Sequence, residues 1–542
     1  MYNPGFTESE HIISTAHSIP GSPVERVQAS LRQYGTTANI IGLVGGLLAV
    51  ACLFAPLHNG WNIRLPLYAV MVVWVLLRPR TALYLSPFAI SWGSLDTVQI
   101  LFNVTSADIL VIMLAISWLA GFAIRSHYNP TSMSDAGPLD YDSFKSVPRY
   151  LLMATCVLLC AMLLSIVGAT SIKSSLKEIV KWVEVLIVFI LGTMYLRTRR
   201  QIWILVVMMC LAAVSQAFLG FAQNYLDLGP SSFVRDASLR VYGTFDQPNP
   251  FAGYINMTLP IVISLMILGR NWTTRILSGA TVVLLGAVEY MTLSRGGEIA
   301  IVVAILFILT VGIWGIRKLF AVGIVGLLCI IAAYLAGVIP SHYIQPILNK
   351  LGLVQISFSS PSAADYATAE RLAHWIAGIN MFLSHPITGV GIGNYPDVYS
   401  AYQITIFVNS LGHAHNYYIN IAAESGVIGL AAFLFFLTTI FIAAHRAYSI
   451  VNKHYLQARY KRQYPQAGMT RQQRQQLFER FGTLTNDRAL AIGLIAALIT
   501  VCVHNLVDDL YVHGMTILFA LLIVSLIRLA RVQQEAFIES NQ

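Results

Sequence analysis

Charged side chains are scarce in this chain of 542 residues: Asp, Glu, Lys and Arg together make up only 11% of it. A soluble globular protein carries about 25% charged residues, so the composition excludes that class. Apolar residues reach 56%, and the mean hydropathy is +0.66. The sequence therefore predicts a protein whose solvent is largely the lipid bilayer.

Cysteine is also rare, and no cleavable leader is evident. All six cysteines lie inside apolar runs without the spacing of metal ligands, so neither a disulfide framework nor a zinc site is indicated. The first 36 residues are polar and lack the basic start and apolar centre of a signal peptide. We therefore expect residues 1–36 to form a cytosolic tail.

Long apolar runs occupy most of the remaining chain. A helix needs about 17 to 25 predominantly apolar residues to cross a bilayer. Such runs lie near 38–57, 63–78, 106–124, 150–169, 179–196, 201–220, 251–269, 275–293, 297–314, 319–338, 416–443, 489–504 and 513–530. A shorter run at 81–92 contains Pro87 and either crosses or only enters the membrane. The sequence predicts an all-α, polytopic integral membrane protein with about 12 to 14 transmembrane helices and a large extracytoplasmic loop before the last helices.

The net charge of +9 is poorly explained by nucleic-acid binding, because its location fits the rule that Lys and Arg accumulate in cytoplasmic loops. Three basic segments agree on one orientation: 197–200, 317–318 and 445–488. Within the last, RQQRQQLFER is either an amphipathic helix on anionic lipid or part of a solvated loop. The same count of crossings puts the polar segments outside: 221–250, 294–297, 339–415 and 505–512.

These assignments predict a domain layout in five parts. They are a cytosolic tail (1–36), a transmembrane region (37–338), an external loop with an amphipathic helix (339–415), C-terminal transmembrane helices (416–531) that enclose a basic cytosolic loop (445–488), and a cytosolic tail (532–542).

The predicted outer segments carry four polar motifs in a fixed order. They read RVYGTFDQPNPFAGY, TLSRGG, ERLAHWIAGINMF followed by HPITGVGIGNY, and HAHNYYINIAAESGVIGL. In this order and on one side of the membrane, they resemble the O-antigen ligase and O-antigen polymerase superfamily of bacterial envelope glycosyltransferases. The resemblance covers roughly residues 235–430.

The resemblance implies a multi-pass enzyme of the bacterial inner membrane with its active site facing the periplasm. Such an enzyme moves a glycan from an undecaprenyl-diphosphate carrier to an acceptor hydroxyl on a lipid or polysaccharide. No cofactor and no metal ion are expected, and the partners are the lipid-linked donor, the acceptor and membrane lipids. Attachment to a lipid acceptor, the ligase reaction, is slightly favoured over polymerisation, and glycosylation of a protein stays open.

The chemistry of such a transfer fits the polar residues. Guanidinium groups fork onto phosphate oxygens, so Arg240, Arg295 and Arg371 are the candidates for holding the donor diphosphate. A neutral imidazole accepts a proton near pH 7, and His415 is the candidate base. The resemblance selects His415 over His413, because the functional histidine of the family precedes Asn, as His415 precedes Asn416. Supporting roles are expected for His413, Asn416, Asp508 and Asp509.

Each candidate has a structural alternative. Arg295 in its tight turn could extend to lipid headgroups, Arg240 could pair with Asp236, and Arg371 could be a surface charge. We expect Arg371 on an amphipathic helix whose apolar face is formed by Leu372, Ile376, Ile379 and Leu383 and whose start is a capping box in residues 362–365.

The histidines and aspartates have alternatives as well. His415 could be an interfacial residue satisfied by water, and Asp508 and Asp509, in a segment that also holds His504 and His513, could stay solvated. The His-x-His spacing also permits a metal site, although no companion pattern accompanies it.

Glu424 lies in an apolar run, where a carboxyl is costly unless it is paired. We interpret it as a structural hydrogen-bonding group between helices, with Ala422, Gly426 and Gly429 allowing close helix packing. The motif GVGIGNYP marks turns before helices, and its amides could also meet phosphate. A secondary transporter is the principal alternative from another class, since Glu289, Glu298 and Glu424 are embedded in apolar runs.

Overall fold

The computed structural model describes residues 70, 72–93, 97–99, 103–128, 147–235, 238–313, 366–404 and 406–539, with isolated residues between 315 and 358. The chain divides into two compact units, Met1–Trp74 and Val75–Gln542, and the fold below is that of the second. The predicted runs near 38–57, 63–78 and 319–338, the N-terminal tail and the capping box at 362–365 lie wholly or largely outside the described residues. Most of the predicted C-terminal tail at 532–542 is described and continues the helix Met515–Glu539.

The described part of the chain is almost entirely helical. Its helices are α1 (Arg80–Trp92), α2 (Ser106–Tyr128), α3 (Arg149–Ser165), α4 (Ile172–Tyr195), α5 (Arg199–Tyr225), α6 (Pro248–Asn256), α7 (Leu259–Leu268), α8 (Trp272–Met291), α9 (Arg295–Gly312), α10 (Tyr366–Ser384), α11 (Tyr395–Val398), α12 (Tyr417–Gln463), α13 (Arg471–His504) and α14 (Met515–Glu539). Two small antiparallel hairpins pair β1 (Thr97–Gln99) with β2 (Asn103–Thr105) and β3 (Val234–Arg235) with β4 (Ser238–Leu239). Short 3₁₀ turns cover Ile166–Gly168, Ser231–Phe233 and Tyr399–Ala401.

Nine helical segments of the described residues are long and apolar enough to cross a membrane. They are α2, α3 with its 3₁₀ turn, α5, the pair α6–α7, α8, α9, α12, α13 and α14. The prediction of an all-α polytopic membrane protein is thereby confirmed. The predicted run at 179–196 falls in α4, which has 24 residues but also carries Lys177, Glu178, Lys181 and Glu184 and is not among the nine.

Two of the predicted runs have a local structure that the hydropathy did not show. The run at 251–269 is interrupted between Asn256 and Leu259, and Pro260 stands in the first turn of α7, where its missing N–H is tolerated. The run at 81–92 forms α1, whose 13 residues correspond to about 20 Å of helix, too short to cross about 30 Å of hydrocarbon. Helix α1 packs against α2 and α5.

Helices α13 and α14 form the centre of the bundle. Helix α13 packs against α7, α9 and α12, and α14 packs against α4 and α12. The indole of Trp182 in α4 is fully buried and forms edge-to-face contacts with Phe433, Phe436 and Tyr511. These aromatic contacts fix the segment after α13, which contains Asp508, against α4 and α12.

Basic residues collect at one end of the bundle. Arg199 Nε donates to Asp487 Oδ1 at 2.8 Å, Arg488 donates to the Val311 carbonyl at 3.0 Å, and Arg528 Nε donates to the Leu196 carbonyl at 2.6 Å. These bonds join the start of α5 and the end of α9 to α13, and the end of α4 to α14. We call this the basic end; it contains the predicted basic segments 197–200 and 445–488.

The basic segment 445–488 is not an irregular loop. Helix α12 continues to Gln463, a short turn follows, and α13 begins at Arg471 with Thr470 as its N-cap. The side chain of Thr470 accepts from the amide of Gln473, and Gln473 reaches back to the amide of Thr470. RQQRQQLFER therefore forms the exposed first turns of α13, as the capping-box sequence TRQQ favours.

The segments that the sequence analysis placed outside meet at the opposite end. Val241 N donates to the Met291 carbonyl at 3.2 Å, and Tyr417 N donates to the Asn505 carbonyl at 2.9 Å. Trp375 Nε1 in α10 donates to the His415 carbonyl at 3.1 Å. This arrangement, called here the histidine end, brings together parts of 221–250, 291–297, 366–416 and 504–514.

Candidate active site at the histidine end

Asn416 fixes the position of His415. Its side-chain oxygen accepts from the amides of Tyr418 and Ile419 at 2.9 and 3.1 Å, which caps α12, while its Nδ2 donates to the Leu506 carbonyl at 2.8 Å. His415 precedes this cap with a positive φ of 50° and is 7% exposed. The His-Asn pair therefore places a buried imidazole at the mouth of a helix and joins it to the segment after α13.

Asp508 is the partner of His415. Its Oδ1 lies 3.4 Å from His415 Nδ1 and 3.9 Å from His413 Nε2, and the carboxylate is 2% exposed. Burial alone would raise the pKa of Asp508, but its hydrogen bond to His415 and the nearby rings of His413 and His504 hold that pKa well below the usual range. The alternative of a solvated carboxylate is wrong for Asp508, because its side chain is buried beside the His415 ring, in a position to orient it.

His413 lies beside His415 and supports its backbone. The two ring centroids are 4.5 Å apart, and His413 Nδ1 accepts from the His415 amide at 3.1 Å. Burial, with the nearby His415, lowers the pKa of His413 to about 3, so this ring is neutral at pH 7.

His374 is a third imidazole at the site that the sequence analysis did not select. It is fully buried in α10, its ring stacks on Tyr399, and its centroid is 5.5 Å from that of His415. Tyr395 donates its hydroxyl to the His374 carbonyl at 3.0 Å, so the phenol oxygen accepts from His374 Nδ1 at 3.1 Å. Burial, followed by the charge of His415, lowers the pKa of His374 to about 4. In the sequence, only the position of His374 on a helix that faces His415 could have indicated that it belongs to the site.

The two arginines around the TLSRGG turn differ in their contacts. Arg240 Nε donates to the Thr292 carbonyl at 2.8 Å, and its Nη2 donates to Asn249 Oδ1 at 3.0 Å. Arg295 opens α9, is exposed, and forms no hydrogen bond or ion pair with any part of the chain that the structure describes. The alternative pairing of Arg240 with Asp236 lies outside the described residues.

Helix α10 carries Arg371, as predicted, but the face that it buries within the protein differs from its face of large apolar residues. Apart from Met381, the buried residues are small or polar, with Ala369, Ala373 and Ala377 four apart, whereas Ile379 and Leu383 are exposed. Small side chains let α10 approach α12 closely: a Cβ on Gly378 would lie 2.7 Å from Ile419 Cγ2. The large apolar residues Ile379 and Leu383 therefore do not mark the buried face of α10.

Arg371 is half-buried and lies near enough to His504 for their charges to interact. Glu370, its neighbour in α10, was not selected from the sequence and interacts with the charges of both His415 and Arg371. The structure therefore brings Arg371 to the same region as the His415–Asp508 pair.

Asp509 points to a different group of residues from Asp508. Its Oδ1 accepts from the Tyr511 amide at 2.8 Å, and its charge interacts with Lys181 and Glu178 of α4. Burial, offset in part by Lys181, raises the pKa of Asp509 to about 7. His513 contacts the ring of Phe245, with centroids 5.7 Å apart. Asp509 is therefore placed to support the loop rather than to touch His415.

Glu424 and the glycines around it join α12 to the GVGIGNYP loop. Glu424 Oε1 accepts from the Tyr395 amide at 3.0 Å, and the Glu424 carbonyl accepts from Gly391 N at 2.9 Å. Gly426 breaks α12 with φ 63° and ψ −163°, and a Cβ there would lie 2.2 Å from the Ile387 carbonyl oxygen. The predicted structural role of Glu424 agrees with this bond, but the partner is a loop, and the amides of Val390 and Gly391 are engaged by α12 carbonyls and are not available to phosphate.

The ligand atoms of His413, His415 and Asp508 lie within 4.8 Å of one another and could hold a metal ion. This grouping provides the third ligand that the His-x-His spacing lacked in the sequence. In the alternative chemistry, the same contacts orient a proton-accepting imidazole through a carboxylate. Both uses engage the same atoms, so they exclude each other at His415.

Taken together, the described residues define a polytopic membrane protein with a buried histidine–aspartate pair and arginines at one end of its bundle. Residues 280–434 match the family model described as O-Antigen ligase. The resemblance to the O-antigen ligase superfamily is thereby confirmed, and the matched segment contains Arg295, Arg371, His413, His415 and Asn416. Arg240, His504, Asp508 and Asp509 lie outside it. No curated protein matches the chain.

Proposed function

We propose that the chain is an O-antigen ligase-like glycosyltransferase that moves a glycan from an undecaprenyl-diphosphate carrier to an acceptor hydroxyl. The family match supports a multi-pass membrane enzyme of the ligase or polymerase type. The observation that carries the proposal is the 3.4 Å approach of His415 Nδ1 to Asp508 Oδ1 beside Arg371 and the Arg295 turn.

The contact between His415 and Asp508 identifies the ring nitrogen of His415 that accepts the proton. With Nδ1–H donated to the ionised Asp508, the neutral ring keeps its lone pair on Nε2. Nε2 takes the proton of the acceptor hydroxyl as that oxygen bonds to the anomeric carbon of the transferred sugar. Asp508 then stabilises the imidazolium, which is why a buried carboxylate is useful there.

The bond between the anomeric carbon and the phosphate oxygen breaks in the same step, and its electron pair leaves with the lipid diphosphate. A guanidinium group binds phosphate oxygens through two parallel hydrogen bonds. We therefore assign Arg295 and Arg371 to binding the negative charge of the leaving diphosphate. Arg240 is assigned mainly to the shape of the site, since two of its donors hold Thr292 and Asn249. The histidine end then faces the periplasm, and the basic end faces the cytosol.

The acceptor separates the two reactions of the superfamily. We propose ligation to a lipid acceptor, with polymerisation as the alternative; no described residue distinguishes the acceptors. The test supplies membrane vesicles containing the protein with undecaprenyl-diphosphate glycan and, separately, lipid A core or a second lipid-linked repeat. Consumption of the core supports ligation, growth of the repeat supports polymerisation, and transfer to neither acceptor rejects the proposed enzyme.

A further inference from the structure

A cavity of about 430 Å³ lies at the basic end, between the turn that joins α7 to α8 and the first half of α13. It is lined by Arg270, Asn271, Phe478, Glu479, Gly482 and Thr483. The Arg270 amide donates to Asn486 Oδ1 at 2.7 Å, which fastens the turn to α13. Of the stretch RQQRQQLFER, only Phe478 and Glu479 belong to this lining. The proposed transfer chemistry, at the other end of the bundle, gives the cavity no task.

Two arginines lie over the same pair of aromatic rings beside the cavity. Arg270 Cζ is 5.2 Å from the ring centre of Phe478 and 6.0 Å from that of Phe481. Arg462 Cζ, near the end of α12, is 5.3 and 4.8 Å from the same two centres. Neither guanidinium group forms a hydrogen bond or an ion pair within the part of the chain that the structure describes. Two positive charges are therefore held close together with their hydrogen-bond donors unused by those residues, which favours an anionic ligand beside them.

The rest of the lining is polar and carries one negative charge. Asn271 precedes α8, but its side chain does not cap the helix, so the first amides of this 20-residue helix have no acceptor from it. Glu479 is the carboxylate of the lining, and its Oε1 accepts from Gln475 Nε2 at 3.0 Å. Arg270 and Arg462 therefore leave a net positive charge at the cavity.

The lengths of α8 and α13 place the cavity at the level of lipid headgroups. Helix α8 begins at Trp272 and is one of the segments long and apolar enough to cross a membrane. Along α13, Gly482 and His504 are about 33 Å apart, close to the thickness of the hydrocarbon layer. Trp272 is 71% exposed, and Arg275 Cζ lies 5.6 Å from its ring centre. Aromatic and basic side chains of this kind are enriched at the membrane–water interface.

The surface next to the cavity favours a lipid over a free phosphate. Ile276 and Leu277, in the first two turns of α8, are 56% and 64% exposed, and Phe478 at the cavity is 51% exposed. Apolar surface therefore continues from the cavity towards the hydrocarbon layer. A ligand with an anionic head and acyl chains fits both parts, whereas a free phosphate would use the cavity alone.

We propose that this cavity binds the headgroup of an anionic phospholipid, with the guanidinium groups of Arg270 and Arg462 on its phosphate oxygens and its acyl chains along the start of α8. Basic cavities between transmembrane helices on the cytoplasmic side suit such headgroups. Gly482 leaves the space that the headgroup needs, because a Cβ added there would already lie 3.7 Å from Arg270 Cγ and 3.8 Å from Asn271 Oδ1. Only the choice of leaflet, the cytosolic one, rests on the orientation in the proposed function.

The test measures lipid binding without any glycan donor. Delipidated full-length protein in a neutral detergent is titrated with phosphatidylglycerol and, separately, with phosphatidylcholine, and bound lipid is counted by native mass spectrometry. Arg270→Gln is compared with Arg446→Gln, because Arg446 also lies over a ring, 4.9 Å from the centre of Tyr150, but does not line the cavity. A hydrogen bond to a charged group contributes about tenfold in affinity, so Arg270→Gln should weaken phosphatidylglycerol binding by about tenfold and Arg446→Gln by less than about twofold.

Gly482→Leu tests the cavity itself, because it keeps every charge of the protein. The leucine side chain occupies the space beside Arg270, so phosphatidylglycerol binding should again fall by about tenfold, whereas Gly482→Ala should bind as wild type does. Thermal unfolding identifies the variants that fold. Wild-type binding by folded Gly482→Leu would overturn the site, because lipid binding would then depend on general charge alone. If Gly482→Leu does not fold, equal weakening by Arg270→Gln and Arg446→Gln overturns it instead.

Glycerol phosphate and phosphatidylcholine distinguish the possible ligands. The proposal predicts that wild type binds phosphatidylglycerol about tenfold more tightly than either of them, since one lacks the acyl chains and the other lacks the net negative charge. Equal binding of glycerol phosphate would contradict a lipid ligand, and equal binding of phosphatidylcholine would contradict an anion site. Loss of this site would leave the proposed transferase untouched, and absence of glycan transfer would leave the lipid site standing.

Discussion

His415 Nδ1 and Asp508 Oδ1 lie 3.4 Å apart although 93 positions separate the two residues in the chain. The contact depends on Asn416, which caps α12 and holds the Leu506 carbonyl at 2.8 Å. A short polar segment after α13 thus completes a site whose histidine belongs to another helix.

Asp508→Asn tests whether this contact serves proton transfer. The amide has the same shape but carries no charge to stabilise an imidazolium, so kcat for glycan transfer should fall by about 10²-fold or more with little change in folding. Asp227→Asn is the matched control, because Asp227 is exposed on the segment between α5 and β3. Comparable transfer by both variants would remove Asp508 from the mechanism.

Substitutions of Arg295 and Arg240 should differ in their effect on stability, although both lower glycan transfer. Arg295→Ala is expected to lower transfer by about 10²-fold while changing the free energy of unfolding by less than about 0.5 kcal/mol. Arg240→Ala should also cost about 1–3 kcal/mol of stability, because it leaves Thr292 and Asn249 without their donors. Thermal unfolding and transfer are measured on both; loss of stability in Arg295→Ala would indicate a structural role for it instead.

His374 should make stability depend on pH. Its pKa is about 4 in the folded protein, below the model-peptide value of about 6.5, so the unfolded chain binds a proton that the folded protein does not. Stability is therefore lost as pH falls from about 6.5 towards 4, by about 2 kcal/mol between pH 7 and pH 5.

His374→Phe removes the protonation that lowers stability at acidic pH. It keeps a ring beside Tyr399 and the hydrogen bond from the Tyr395 hydroxyl to the backbone carbonyl of residue 374. Unfolding of wild type and variant at pH 7 and pH 5 checks it. The variant should lose less stability than wild type on acidification. An equal loss would mean that other groups set the pH dependence.

Gly426 should be essential for the fold around the site. Its φ and ψ are accessible essentially to glycine alone, and a Cβ would collide with the Ile387 carbonyl, so Gly426→Ala should cost about 3 kcal/mol or more. Gly286→Ala in α8 is the control, since no atom lies within 4 Å of its added Cβ. Folded yield and unfolding temperature report the difference, and two equally stable variants would contradict the geometry.

The sequence was sufficient for the helical class, most helix positions and the grouping of polar residues at one end. These follow from the length of apolar runs and from the location of Lys and Arg, which are local properties. His415 and Asn416 were also identifiable, because the cap and the histidine are adjacent. The break at Gly426 was not, since a glycine in an apolar run equally suits close helix packing.

The residues that surround His415 could be identified only from the folded structure. Asp508 and His504 lie in a segment whose polarity suggested solvation, and only the packing of Trp182 against Tyr511 buries it. The apolar face expected for α10 does not identify the residues that it buries, because close approach to α12 favours its alanines. Distances across the bundle depend on such packing, which periodicity does not encode.

The most direct test of the account is glycan transfer by His415→Gln beside His385→Gln and wild type, in vesicles containing EDTA and undecaprenyl-diphosphate glycan. Wild type and His385→Gln should transfer glycan without added metal, whereas folded His415→Gln should be at least about 10²-fold slower because it lacks the proton acceptor. Normal transfer by His415→Gln would contradict the assignment of the base. Loss of wild-type transfer in EDTA, restored by a divalent cation, would contradict a metal-independent reaction.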